Sequence, residues 1–98
     1  MLHIHVRYKI KPGMRKAYIE AITKAQTASK TQAEPGNLGY EFFIPLDKED
    51  ELFLVECWEN ETVVGPHRDM EHYKYLQSLK AEYVLNTDIK VIKEAEKA

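Results

Sequence analysis

Residues 2–10 read LHIHVRYKI, and apolar and polar side chains alternate along the whole stretch. One face would carry Leu2, Ile4, Val6, Tyr8 and Ile10, and the other His3, His5, Arg7 and Lys9. A period of two is typical of a β-strand that buries only one face. Pro12 and Gly13 follow and predict a turn that ends this strand. The fold therefore begins with a strand whose apolar side needs a cover.

The rest of the chain alternates between helical and strand-like patterns. Apolar side chains recur at helical spacing within residues 14–33 and 69–85, and strands are predicted at residues 38–44, 52–58 and 87–93. The breaker Glu34-Pro35-Gly36-Asn37 separates the first helix from the second strand. Asn60 is expected to cap a helix that begins near Glu61, and Gly65-Pro66 to kink or break that helix.

The element order β-α-β-β-α-β predicts an α+β fold of the ferredoxin-like kind, with a four-stranded antiparallel sheet and helices on one face. We expect a single domain over residues 1–94 and a polar tail at residues 95–98. The uncovered sheet face mixes polar and apolar side chains, and a second subunit would cover it. In this interpretation His5, Arg7 and Glu56 are structural residues of a homodimer interface, with Glu56 across from Arg7 or His5 on the neighbouring strand.

Composition and charge narrow the function. The chain has 98 residues, a formal net charge of −2 and one cysteine, Cys57, so no intrachain disulfide forms. Its basic residues are spread along the sequence, which argues against a nucleic-acid partner and against a polybasic membrane patch. No apolar stretch approaches the roughly 20 residues that cross a bilayer. We therefore expect a cytoplasmic protein with no membrane partner.

Several segments resemble the antibiotic biosynthesis monooxygenase (ABM) superfamily. They are EPGNLGYE at residues 34–41, VECWEN at residues 55–60, His67, the pair His72-Tyr73 and KPG at residues 11–13. The similarity covers nearly the whole chain in the expected order. It implies a dimeric ferredoxin-like α/β barrel in which each subunit holds one small-molecule cavity between its sheet and its helices. It also implies chemistry without a metal or a flavin, so no cofactor is expected.

The quinol monooxygenases of this superfamily fit the residues best. A deprotonated phenol or hydroquinone reduces dioxygen directly, so the protein has to supply a general base, a dry cavity and hydrogen-bond donors. Histidine titrates near neutral pH, which makes His67 and His72 the candidate catalytic bases. Tyr40, Trp58 and Tyr73 are expected to bind the substrate by shaping the cavity and donating hydrogen bonds.

Other interpretations stay open from the sequence. An isomerase of a phosphorylated autoinducer-type hydroxyketone would use the same histidines, and a non-catalytic small-molecule-binding protein would use only the cavity. The haem-degrading branch binds iron through a helix histidine and also has an asparagine on the first strand and a tryptophan on the second helix. In this chain those positions fall near Gln77, Val6 and His67. None of the three matches, so this branch is disfavoured. A metal site is disfavoured as well, because His67 and His72 are five residues apart and would not share one face of a helix.

Overall fold

The computed structural model describes residues 1–94, which form strands and helices in the order β-α-α-β-β-α-α-β. The strands are β1 (Leu2–Ile10), β2 (Asn37–Phe43), β3 (Glu51–Trp58) and β4 (Val84–Lys93). The helices are α1 (Arg15–Lys24), α2 (Thr27–Gln32), α3 (Val64–Arg68) and α4 (Glu71–Tyr83), with a short 3₁₀ helix at Glu61–Val63. The predicted polar tail, residues 95–98, lies outside the described residues.

The sheet has the strand order β2-β3-β1-β4, and every neighbouring pair is antiparallel. β1 therefore lies between β3 and β4, as the split βαβ arrangement requires. The predicted ferredoxin-like α+β fold is confirmed. β1 also has the bounds that its alternating pattern predicts, because one complete face of it is buried.

The core lies between the sheet and the helices. α1 contributes Tyr18 and Ile22, and α4 contributes Leu76 and Leu79. Trp58, at the end of β3, is the largest fully buried side chain. Full burial of a leucine or isoleucine side chain stabilises a fold by about 1.5–3 kcal/mol, so this layer holds the helices on the sheet.

The first helical segment is divided, so the prediction of one helix over residues 14–33 is wrong. Gln26 lies between α1 and α2 with a φ of 57°, in the left-handed region. A residue in that conformation ends the helical hydrogen-bond ladder. In α2 the side chains of Thr27 and Thr31 are buried, and the Thr31 hydroxyl donates to the Thr27 carbonyl at 2.8 Å. Because the buried residues of α2 are threonines, the sequence has no apolar stripe there that would mark α2 as a separate helix.

The second helical region has its break in a different place from the prediction. Asn60 is a cap, as predicted, because its side chain accepts a hydrogen bond from the Thr62 amide at 3.0 Å. Gly65-Pro66 lies inside α3 and does not break it, since a proline in the first helical turn needs no amide hydrogen. The helix instead breaks at Asp69 and Met70, between α3 and α4.

α4 and β4 follow each other directly. α4 ends at Tyr83 and β4 begins at Val84, whereas the sequence predicts a helix to residue 85 and a strand from residue 87. The Tyr83 carbonyl accepts a hydrogen bond from the Lys11 amide at 2.9 Å, which ties the end of α4 to the end of β1. This tertiary contact sets the boundary, and the local pattern does not reveal it.

Glu56 lies on the helix-covered face of the sheet, so the expected pairing with Arg7 or His5 is wrong. The register of β1 and β3 places Glu56 opposite Ile4, a buried residue of β1. Successive side chains of a strand point to opposite faces of the sheet. Because Glu56 pairs with Ile4 and not with His5, its side chain lies on the face opposite to His5 and Arg7.

His5 and Arg7 lie on the outer face of the sheet, around Phe53. The Arg7 guanidinium carbon is 5.6 Å from the centroid of the Phe53 ring, and the His5 ring meets that ring edge-on at 5.8 Å. Phe43 and Ile92 are 48% and 38% exposed. Within residues 1–94, no helix is both long enough and apolar enough to span a lipid bilayer.

Candidate active site

A tight turn from Glu34 to Asn37 places a carboxylate beneath the helices. The Asn37 amide donates to the Glu34 carbonyl at 3.2 Å, and Gly36 has a φ of 85°. Pro35 before a left-handed glycine is the signature of a type II turn. A Cβ atom at Gly36 would lie 2.6 Å from the Val63 side chain, so only glycine lets the turn pack against the segment before α3. This packing fixes Glu34 relative to α3.

Glu34 joins two histidines from different helices. Its Oε2 lies 2.6 Å from Nδ1 of His67 in α3 and 2.7 Å from Nε2 of His72 in α4. With Glu34 ionised, both rings donate to this one oxygen. Glu34 and His67 are buried and His72 is partly buried. Charge-assisted hydrogen bonds in such a shielded place are short and strong, so the three side chains form one unit.

Three aromatic rings surround the His67 imidazole. The ring centroids lie 4.9 Å away for Trp58, 5.0 Å for Tyr73 and 6.3 Å for Tyr40. His67 is only 4% exposed as a result. Close packing of this kind restricts rotation of the imidazole and holds one of its nitrogens on Glu34.

A cavity of about 250 Å³ lies between the sheet and α4, and His67 is in its wall. Much of the lining is apolar. Tyr8, Tyr40 and Tyr73 add phenol rings, and the other polar lining residues are Glu56, His67, Arg68, Gln77 and Lys80. Pockets for drug-sized ligands usually measure about 300–1,000 Å³. A compound of one or two rings fits the smaller volume found here.

The site keeps its imidazole neutral and its phenol protonated. Burial lowers the pKa of His67, although the hydrogen bond and the charge of Glu34 act in the opposite direction. Burial raises the pKa of Tyr40, so its hydroxyl stays a hydrogen-bond donor. Burial also raises the pKa of Glu56, against a 3.0 Å hydrogen bond from Trp58 Nε1 to its Oε1. The cavity therefore presents a proton acceptor, His67, beside a phenol that keeps its proton.

Residues 1–78 match the family model described as antibiotic biosynthesis monooxygenase. The chain belongs to the antibiotic biosynthesis monooxygenase family. No curated protein matches the chain.

Solved structures of similar proteins share the fold of this ABM family member. A candidate antibiotic biosynthesis monooxygenase from Nitrosomonas europaea is 18% identical, with 98% of this chain and 100% of that chain covered and a TM-score of 0.87. The protein PA3566 from Pseudomonas aeruginosa is 17% identical over 97% of this chain and 94% of its own, with a TM-score of 0.86. The protein Rv0793 from Mycobacterium tuberculosis is 21% identical over 99% and 97%, with a TM-score of 0.85.

The structure brings the predicted site residues of this ABM protein together in two layers. His67, Tyr40 and Tyr73 line the cavity. His72 and Trp58 lie behind that wall, where His72 bonds to Glu34 and Trp58 packs against His67. The catalytic and substrate-binding roles given to these residues stay predictions.

Glu34 and Lys80 are site residues that the sequence does not reveal. The motif EPGN predicts a turn, and a turn pattern fixes the backbone without showing where the first side chain points. Lys80 falls on the apolar stripe of α4, and its contact with the Tyr8 ring is a tertiary feature. The one available signal is that EPGN belongs to the segments that resemble the family.

The Glu34-His67-His72 cluster also has the donor types of a metal centre. The three candidate ligand atoms lie within 4.8 Å of one another. Two imidazoles and a carboxylate suit zinc or iron. His67 and His72 lie on two different helices, and Glu34 joins them from a distant turn, so the five-residue spacing does not keep the three side chains apart. The 2.6 Å and 2.7 Å contacts are those of charged hydrogen bonds. The expectation of no metal stays a prediction.

Proposed function

We propose that this member of the ABM family is a monooxygenase that oxidises a quinol or a similar small aromatic with dioxygen, with His67 as general base. The observation that carries the proposal is the His67 ring in the cavity wall, with Glu34 bonded behind it at 2.6 Å. The substrate itself supplies the electrons, so neither a metal nor a flavin takes part.

His67 accepts the substrate proton on Nε2. Its Nδ1 proton is directed at Glu34, which leaves the lone pair of Nε2 free. Because burial lowers the pKa of His67, the ring is neutral and ready to act as a base near neutral pH. When the ring becomes positively charged, the Glu34 carboxylate stabilises it and holds its orientation.

The anion that forms then reacts with dioxygen. It passes an electron to dioxygen, and the resulting radical and superoxide combine at a ring carbon to give a peroxide. His67 returns its proton to the peroxide, and loss of water leaves one oxygen atom on the ring. For a hydroquinone the products are a hydroxyquinone and water. The apolar lining of the cavity keeps bulk water from the anion, and Tyr40 contributes a phenol to that lining.

An isomerase of a phosphorylated hydroxyketone is the second candidate, and one observation favours it. Two imidazoles share the Glu34 carboxylate, an arrangement that can pass a proton from one ring to the other. His72 does not belong to the cavity lining, however. Oxidation therefore stays the first choice, because it needs only His67 at the substrate.

We further propose that two copies of the chain associate through the outer sheet face. A second copy would cover the exposed Phe43 and Ile92 and leave each cavity beneath its own helices. Sedimentation at two protein concentrations tests this, and a monomer at both would contradict it. A single cysteine fits a reducing compartment such as the cytoplasm.

Oxygen uptake tests the proposed reaction. Benzoquinol and naphthoquinol are supplied as substrates with ¹⁸O-labelled dioxygen. The rate of oxygen uptake is corrected for the oxidation that occurs without protein. One labelled atom is expected in the ring product and one in water. Uptake at the protein-free rate across the panel would contradict the proposal. Turnover of a phosphorylated hydroxyketone under argon would then support the isomerase, and binding without either reaction would indicate a binding protein.

A further inference from the structure

A partly buried lysine, Lys80, lies in the wall of the cavity that His67 also lines. The Lys80 ammonium is 5.7 Å from the centroid of the Tyr8 ring, and both residues line the cavity. Tyr73, which packs against His67, lies two turns earlier in α4. At a rise of about 1.5 Å per residue, the two positions are roughly 10 Å apart along the helix. Lys80 therefore lies about two turns along α4 from the residue that packs against His67.

The charge of Lys80 has no partner within the cavity wall. Among residues 1–94, Lys80 forms no salt bridge with a carboxylate. Burial lowers the pKa of Lys80, as expected for an ammonium group that has lost water without gaining a counter-charge. Arg68, the other cation of the lining, is exposed, and its charge lowers the pKa of Glu56 against the larger effect of burial. Pairing with Lys80 would therefore stabilise a bound anion more than pairing with Arg68 would.

We infer that the compound bound in this cavity carries an anionic group, a carboxylate or a phosphate, that pairs with Lys80. Its hydroxyl end lies at His67, and this part of the inference rests on the proposed function. Val6, Leu54 and Leu76 also line the cavity and offer apolar contacts for one or two rings. The ammonium group would then exchange a weak contact with Tyr8 for a charge-assisted hydrogen bond.

Three matched probes test the inference by calorimetry. They are 2-naphthol, 6-hydroxy-2-naphthoate and 6-hydroxy-2-naphthyl phosphate, which share a ring system and a hydroxyl and differ at the far end. The wild-type protein should bind at least one anionic probe about tenfold more tightly than 2-naphthol. The ranking of the two anionic probes identifies the class of anion. Equal affinities for all three, or no binding by any, would overturn the inference.

Variants of α4 locate the anion. Lys80→Met should abolish the preference for the anionic probes over 2-naphthol, whereas Lys80→Arg should keep that preference. Lys74→Met, at an exposed position of the same helix, is the matched control and should behave as wild type. A preference that persists in Lys80→Met would overturn the assignment. Circular dichroism checks that each variant is folded.

The two proposals fail separately. Absence of quinol oxidation, with an anion preference that depends on Lys80, would remove the proposed reaction and support this inference. Quinol oxidation by a protein that shows no anion preference would overturn this inference alone.

Discussion

Oε2 of Glu34 lies 2.6 Å from Nδ1 of His67, across a separation of 33 residues in the chain. The turn before β2 therefore sets the orientation of an imidazole that α3 supplies. Both side chains are buried, so no water competes strongly for the bond. The chemistry of His67 should depend on the charge of Glu34 as well as on its presence.

Glu34→Gln removes that charge and keeps an oxygen that accepts a hydrogen bond. We expect kcat/KM for the substrate to fall by at least about tenfold. The acid limb of its pH profile should also move to lower pH, because Glu34 raises the pKa of His67 whereas His72 and Arg68 lower it. Glu82→Gln, at an exposed position of α4, is the matched control. A limb that moves to higher pH would contradict the account.

The stability of the folded protein should fall as the pH drops below about 6.5, the usual pKa of a histidine in an unfolded chain. Burial lowers the pKa of His67, so below that pH the unfolded chain binds more protons at this position than the folded chain does. Above that pH His67 adds no pH dependence. Urea unfolding at pH 7.5 and pH 5.5 measures the change. His67→Asn should lose less stability between the two pH values than wild type, and an equal loss would refute this assignment.

Gly36→Ala should destabilise the protein more than Gly13→Ala. Both glycines have left-handed backbones, with φ values of 85° and 77°. An alanine there costs roughly 1–2 kcal/mol of strain. A Cβ atom at Gly36 also meets Val63 at 2.6 Å, whereas nothing lies within 4 Å of one at Gly13. The expected loss for Gly36→Ala is about 3 kcal/mol or more by urea unfolding. Equal losses would show that the contact with Val63 relaxes freely.

The sequence predicts most of the fold because one face of the sheet is buried in a regular pattern. The alternation of β1 follows directly from that burial, as does the apolar stripe of α4. The left-handed Gln26 and the direct passage from α4 to β4 depend on tertiary contacts, so the local patterns there mislead.

The candidate site is less predictable from the sequence than the fold. His67 is recognisable by residue type and by family resemblance. The partner Glu34 comes from a distant turn, and the inward direction of Glu56 follows from a strand register that only the paired sheet defines. Lys80 is a cavity residue only because α4 lies over Tyr8.

Removal of metal ions should leave the reaction unchanged. In the proposed function Glu34 orients His67 through a hydrogen bond, and no step uses a bound ion. Dialysis against a chelator followed by oxygen-uptake assays in chelated buffer should give the rate of the untreated protein. A rate that falls and returns with added iron or zinc would show that Glu34, His67 and His72 act as metal ligands.

The central claim is that His67 removes the substrate proton, and oxygen uptake by His67→Ala tests it most directly. With a quinol that wild type oxidises, the folded variant should lose about 10²- to 10⁴-fold in kcat/KM. Free imidazole should restore part of this loss. His72→Ala should lose less, because the bond between Glu34 and His67 stays in place. A folded His67→Ala protein that oxidises the quinol at the wild-type rate would contradict the claim.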